Sequence, residues 1–309
     1  MVAPIQLGIV GFNEGNGHPF SFSAIINGFD PEGMKASGWD VIYNYLKTRH
    51  ASEFGFDSVH VSHAWTQDAA LTEKLVKASK IPNLVVDLAD MIDAVDGVII
   101  ARDDYETHYP LAKDFLEQGK FVFIDKPLSL EVSELQFFRP YLEEGKLMSC
   151  AGARYARELD EIRGHLDAFG DIKLIRGTVI NGMEKYGIHM LDGVLGVTGF
   201  HARSVSCVQG KHTSVRIRNN DDSLLFIDAL GNSAKTLALD FWSDTKRFHA
   251  ELNDNFSMFR RLLGDFVGMI RSREPPIDPD LVLNSMKVLI AAQRSLTEER
   301  EVDIDDISI

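Results

Sequence analysis

Short apolar runs alternate with amphipathic stretches through the first half of the chain. Ile5 to Val10, Ser58 to Trp65, Leu84-Val85-Val86, Val95 to Ala101, Phe121 to Ile124 and Leu147 to Ala151 read as buried strands. Between them, apolar stripes at helical spacing predict helices from Ala69 to Ser79, Leu88 to Ala94, Thr107 to Gln118 and Glu131 to Glu144. A further helix follows Ser21 and Ser23 at Ala24-Ile25-Ile26, and Trp39, Val41, Ile42, Tyr45 and Leu46 suggest a short helix within residues 30–57. Six strands alternating with helices over about 150 residues imply a doubly wound, Rossmann-type parallel sheet.

Beyond Gly152 the pattern changes. A helix from Glu158 to Phe169, a strand from Ile172 to Asn181 and a helix from Tyr186 to Val197 are expected. From His201 to Ala250, strand-like runs are broken by turn signals such as Asn219-Asn220-Asp221-Asp222 and Gly231-Asn232, which predicts an antiparallel meander. Two helices, Asn255 to Arg271 and Asp280 to Thr297, follow it. The expectation is an α/β chain of two domains. Residues 1–150 form the Rossmann-type domain, and 151–309 an α+β domain with a large, mostly antiparallel sheet.

Composition narrows the class of partner. The 309 residues carry a formal net charge of −14 and 45% hydrophobic residues. An acidic globular chain is a poor match for nucleic acid or an anionic membrane, both of which need a basic face. Cys150 and Cys207 lie in apolar surroundings without ligand spacing, so free buried thiols and no metal site are expected. Met1-Val2-Ala3-Pro4 shows no leader pattern and no apolar run is long enough to span a bilayer, which points to a cytoplasmic protein.

Candidate chemistry sits where strands end. After the first strand comes Gly11-Phe12-Asn13-Glu14-Gly15-Asn16-Gly17-His18-Pro19, a glycine-rich loop leading into a helix. That layout suits a pyrophosphate. Its spacing departs from GxGxxG, because Asn13 stands where a second glycine lets backbone approach phosphate, and the loop is long. At the end of the second strand Trp65-Thr66-Gln67 replaces the acid that holds the ribose of NAD, with no arginine nearby in sequence for a 2′-phosphate. Asp68 reads as the N-cap of the next helix. His18 is open to two roles, touching phosphate or capping a turn. The fifth strand runs straight into Asp125-Lys126-Pro127, which puts Lys126 at the carboxyl edge of the sheet, where ligands bind. A loop lysine paired to Asp125 is the plainer alternative.

Three segments in order carry a resemblance to a known family: Val95-Asp96-Gly97-Val98-Ile99-Ile100-Ala101 with His108; Gly119-Lys120 leading through Phe121-Val122-Phe123-Ile124 to Asp125-Lys126-Pro127; and Tyr186-Gly187-Ile188-His189-Met190-Leu191-Asp192. The chain resembles the glucose–fructose oxidoreductase / inositol dehydrogenase (Gfo/Idh/MocA) family. The resemblance implies NAD or NADP as cofactor, a sugar or polyol substrate, and a homodimer or homotetramer. It implies Lys126 and His189 as catalytic groups, with Gly11, Phe12, Asn13, Gly15, Gly17, His18, Trp65, Thr66, Arg102, His108 and Asp125 around the cofactor. Arg154, Asn181, Lys185, Tyr186 and Asp192 are the substrate-side candidates. His108 could equally pack beneath the sheet, and Asp192 could cap or pair locally. Lys185 departs from the family, whose enzymes often carry aspartate there. That leaves a non-catalytic dinucleotide or sugar sensor, or a lyase or hydrolase with a retained cofactor, as alternatives to a dehydrogenase.

Overall fold

The computed structural model describes residues 4–309; the leaderless start read above falls partly on residues 1–3, outside them. The chain divides into two compact units. The first runs through Leu128 and takes in Pro140–Ser149 and Phe259–Pro276. The second comprises Ser129–Arg139, Cys150–Met258 and Ile277–Ile309.

The strands of the first unit are β1 (Ile5–Val10), β2 (Val59–Trp65), β3 (Asn83–Leu84), β4 (Gly97–Ile100), β5 (Phe121–Ile124) and β6 (Leu147–Ser149). They form one parallel sheet in the order β3-β2-β1-β4-β5-β6. The strand order reverses between β1 and β4, the switch point where such sheets bind ligands beyond their carboxyl ends. Every residue of β4 and β5 is buried, which is why these strands are continuously apolar rather than alternating.

Helix α1 (His18–Asn27) is buried from Pro19 to Ile26. Its Phe22 meets Phe123 of β5 edge-on at 6.0 Å, and Phe259 and Phe266 extend the same aromatic cluster at 5.1 and 5.9 Å. Between α1 and β2 there are two short helices instead of one, α2 (Pro31–Ala36) and α3 (Asp40–Leu46). Asp30 caps α2 by accepting the Gly33 N–H, and Gly38, at φ +88°, turns the chain before α3 can continue it. Helix α4 (Ala69–Ala78) starts on Asp68, whose carboxylate accepts the Leu71 N–H at 2.8 Å, as expected. Short α5 (Ala89–Ile92), then α6 (His108–Glu117) and α7 (Val132–Glu143), follow β3, β4 and β5.

In the second unit the expected helix at 158–169 is broken into α8 (Asp160–Arg163) and α9 (Leu166–Phe169), with Gly164 ending the first. The sheet contains β7 (Ile172–Val179), β8 (Ala202–Gln209), β9 (Thr213–Asn219), β10 (Leu224–Ala229), β11 (Leu237–Ser243), β12 (Arg247–Glu251) and β13 (Val302–Asp303). Its order is β12-β11-β7-β10-β9-β8-β13. The simple meander is corrected here: β7 inserts between β10 and β11 and pairs in parallel with β10. The other pairings are antiparallel. Helix α10 (Ile188–Leu195) lies between β7 and β8; α11 (Asn255–Ser272) and α12 (Pro279–Glu298) lie close to their expected bounds. Cys150 and Cys207 are free thiols; burial pushes the Cys207 thiol up to about 11. No described helix is long and apolar enough to cross a membrane, and no metal-holding cluster occurs among the described residues.

Candidate functional site

The carboxyl edge of the parallel sheet gathers most of the first unit's candidates. Asp125, one residue past β5, is buried and accepts from three sides. The Asn16 amide donates to it at 3.1 Å, the His18 Nδ1 lies 2.5 Å away, and the Lys126 backbone N–H donates at 2.9 Å. Burial pushes its carboxyl pKa up, but His18, Lys126 and Asn16 outweigh this and hold it down at about 2. Lys126 is also buried, and its Nζ lies 3.5 Å from Asp103 in the loop after β4. Asp103 in turn exchanges two hydrogen bonds with the Asn13 side chain: its carboxylate accepts from Asn13 Nδ2 at 2.5 Å, and its backbone N–H donates to Asn13 Oδ1 at 3.1 Å.

A second network holds Phe12. Its N–H donates to Gln67 Oε1 at 2.9 Å, and its carbonyl accepts from the Gln67 amide and from Arg102 Nη1. Arg102 Nη1 also reaches Gln67 Oε1 at 3.2 Å, so the arginine lacking near β2 in sequence arrives from the loop after β4. Burial opposes ionisation of Asp104, but the Arg102 guanidinium, donating to both carboxylate oxygens, keeps it below the usual carboxylate range. Trp39, ahead of α3, packs edge-on against Phe12 at 6.0 Å and braces the loop from outside.

The remaining candidates of this unit brace the sheet. Thr66 bonds Thr72 and the Asp68 carbonyl, and Trp65 Nε1 donates to Val86 O at 3.2 Å. His108 is fully buried, with Nδ1 3.0 Å from Leu128 O and Nε2 2.9 Å from Arg102 O, tying together the loops that follow β4 and β5.

Whether a dinucleotide fits can be tested on the loop itself. A fingerprint loop offers free amides and a glycine through which backbone approaches phosphate. Here Gly11 and Gly17 are closed in by the protein, while Gly15 stands open. A Cβ on Gly11 would lie 2.5 Å from Pro19 Cγ, one on Gly17 within 2.8 Å of Ile42 and Trp39, and Gly15 has φ +82° with open space around it. A pyrophosphate at this turn would therefore meet the open side at Gly15 and the His18 ring rather than a full glycine-lined cradle.

In the second unit the candidates cluster on the chain entering α10. Asn181, just past β7, has φ +61° and exchanges two backbone hydrogen bonds with Gly231. Met183–Gly187 then forms a single π-turn, a geometry frequent at functional sites. It carries exposed Lys185 and half-buried Tyr186, whose ring lies 5.5 Å from that of half-buried His189. Asp192 faces elsewhere: it is buried, accepts the Ala151 N–H at 2.5 Å and lies 4.0 Å from Arg154.

Burial is the largest influence on Asp192 and raises its carboxyl to about 6, although Arg154 and the Ala151 N–H pull the other way. A folded pKa above the unfolded value means stability is fully present below about pH 4 and is lost as pH rises through about 6. The scale of that loss is about 3 kcal/mol. Asp192→Asn should therefore flatten the decline in melting temperature between pH 4 and pH 8. Identical profiles for the two proteins would refute this account of Asp192.

Asn16, Gln67 and Asp103 carry much of this geometry and were not singled out from sequence. The signal available was their place, each following the carboxyl end of a sheet strand.

Comparison with known proteins defines the class first. The chain carries a Rossmann-type parallel sheet and a large mixed sheet, a fold shared with solved inositol dehydrogenases. Scyllo-inositol dehydrogenase from Lactobacillus casei, solved with NAD(H) and scyllo-inositol, matches at TM-score 0.78 and 16% identity over 98% of this chain and 99% of that one. Myo-inositol 2-dehydrogenase from Lactobacillus plantarum matches at 0.77 and 14%, over 97% and 99%. GenD2 from gentamicin A biosynthesis, in complex with NAD, matches at 0.75 and 15%, over 98% and 97%. No curated protein sequence matches the chain. Residues 41–148 match the Gfo/Idh/MocA family model, described as "Oxidoreductase family, NAD-binding Rossmann fold". The match begins after the glycine-rich loop, the part whose pattern departs most from the fingerprint.

Proposed function

We propose that the chain is an NAD(P)-dependent oxidoreductase that moves a hydride between nicotinamide and a hydroxyl-bearing carbon of a sugar or cyclitol. The observation that carries this reading is the Lys126 ammonium at the carboxyl end of β5, in a sheet whose sequence matches an NAD-binding oxidoreductase family. The bound dinucleotide supplies the hydride acceptor or donor. In the first unit, Lys126 hydrogen-bonds the reacting oxygen and stabilises its developing negative charge. In the second, His189 takes the hydroxyl proton, a task suited to an imidazole because it titrates near neutrality. Tyr186, Asn181 and Arg154 supply hydroxyl contacts. A homodimer or homotetramer belongs to the same reading.

A sensor that binds without turnover is the second reading, favoured by Lys185, an exposed cation on the π-turn where related enzymes often carry an acid. One experiment separates the two. Cyclitols and aldoses are supplied with NAD or NADP and absorbance at the reduced-nicotinamide band is followed. Steady growth of that band on one substrate class is expected. Saturable dinucleotide binding with no turnover on any panel would transfer the assignment to the sensor.

A further inference from the structure

We infer that the His18 side chain, positioned by Asp125, holds the pyrophosphate of the dinucleotide in place of the helix amides that usually do so. The inference rests on the oxidoreductase reading above and concerns how this chain's loop meets its cofactor.

The amides at the start of α1 are already committed, and so is that of Phe12. The Phe12 N–H donates to Gln67 and the His18 N–H to Asn16 Oδ1 at 2.8 Å. Pro19 has no N–H, and the Phe20 and Ser21 N–H groups both turn back to Gly17 O at 3.1 Å. An anion arriving here would have to break protein hydrogen bonds to use them.

The imidazole has what the amides lack. One of its faces stacks on Phe22 at 4.9 Å, and Phe259 packs against it edge-on at 4.9 Å. Its Nδ1 is held by Asp125, which is itself fixed by Asn16 and the Lys126 N–H. Its Nε2 makes no hydrogen bond to the described residues and is not among the buried unsatisfied atoms, so that edge of the ring reaches solvent. A buried carboxylate on one ring nitrogen fixes the ring's orientation, and in the imidazolium form the other N–H is a directed donor. Charge-assisted hydrogen bonds of this kind suit phosphate oxygens. Asn13, clamped on Asp103, keeps the loop from rearranging around the ring. Asp125 is the positioning residue and His18 the contact.

The test is titration of the full chain with NADH, followed by nicotinamide fluorescence, and with ADP-ribose, which keeps the pyrophosphate but lacks nicotinamide. His18→Gln should weaken both by about tenfold or more, as loss of one charge-assisted contact implies. In protein carrying ¹⁵N-histidine, ADP-ribose should shift the His18 ring nitrogens. Asp125→Asn should move those signals in the free protein, a change that a purely structural role for Asp125 would not produce. Binding by folded His18→Gln within twofold of the parent overturns the inference and leaves the oxidoreductase reading intact. So does an unshifted His18 in the parent protein with ADP-ribose bound, which decides the matter even if the variant does not fold. Failure of the parent to bind NADH or NADPH would sink the oxidoreductase reading, and this inference with it.

Discussion

Lys126→Ala is expected to lower kcat for polyol oxidation by about 10²- to 10³-fold, the scale seen when one donor to a developing oxyanion is removed. Structure explains why the effect on catalysis should exceed that on folding. The ammonium is buried, but its acid, Asp103, is partly exposed and keeps two hydrogen bonds to Asn13, so the carboxylate left behind is not stranded. A melting curve establishes that the variant is folded, and single-turnover kinetics then separate chemistry from binding. Turnover within a few-fold of the parent in a folded variant would remove Lys126 from the chemistry.

Asp125→Ala should produce the largest loss of stability, about 3–5 kcal/mol, the usual range for breaking a buried charged pair. The carboxylate is shared by Asn16, His18 and the turn after β5, so its removal strands three donors at once. The pH dependence has a definite sign. The folded pKa, about 2, lies below the unfolded value of 3.8, so the stabilisation is present above about pH 4 and is lost as pH falls toward 2. Its size is about 2 kcal/mol. Acid unfolding followed by circular dichroism should show a shallower loss between pH 4 and 2 in Asp125→Asn than in the parent. A parallel pair of acid transitions would contradict the assigned role.

Local signals in the sequence were read well where local physics decides the outcome. Phe121 to Ile124 was bounded as a strand because an unbroken apolar run ends on a charged pair, and Asp68 was placed as a cap because its carboxylate needs only an amide three residues on. The break at Gly164 falls on a glycine, which weakens a helix interior, and the π-turn at Met183–Gly187 has no periodic signature of its own. The loop after β1 was legible as a ligand turn, but its character was not. Asn13 finds Asp103 across 90 positions and His18 finds Asp125 across 107, and no periodicity announces such pairs. Lys126 was placed correctly at the strand end, and a carboxylate 3.5 Å from its Nζ, Asp103, comes from the loop after β4.

The insertion of β7 between β10 and β11 bears on how the second unit is made. The central strand is synthesised first, yet it stays unpaired on both sides until Leu224–Ala229 and Leu237–Ser243 have emerged. Closing those spans carries an entropic cost before any ladder forms, so high contact order should make this sheet the slow step of folding. During biosynthesis its unpaired backbone N–H and C=O groups would stand open to other chains until the last of those strands arrives.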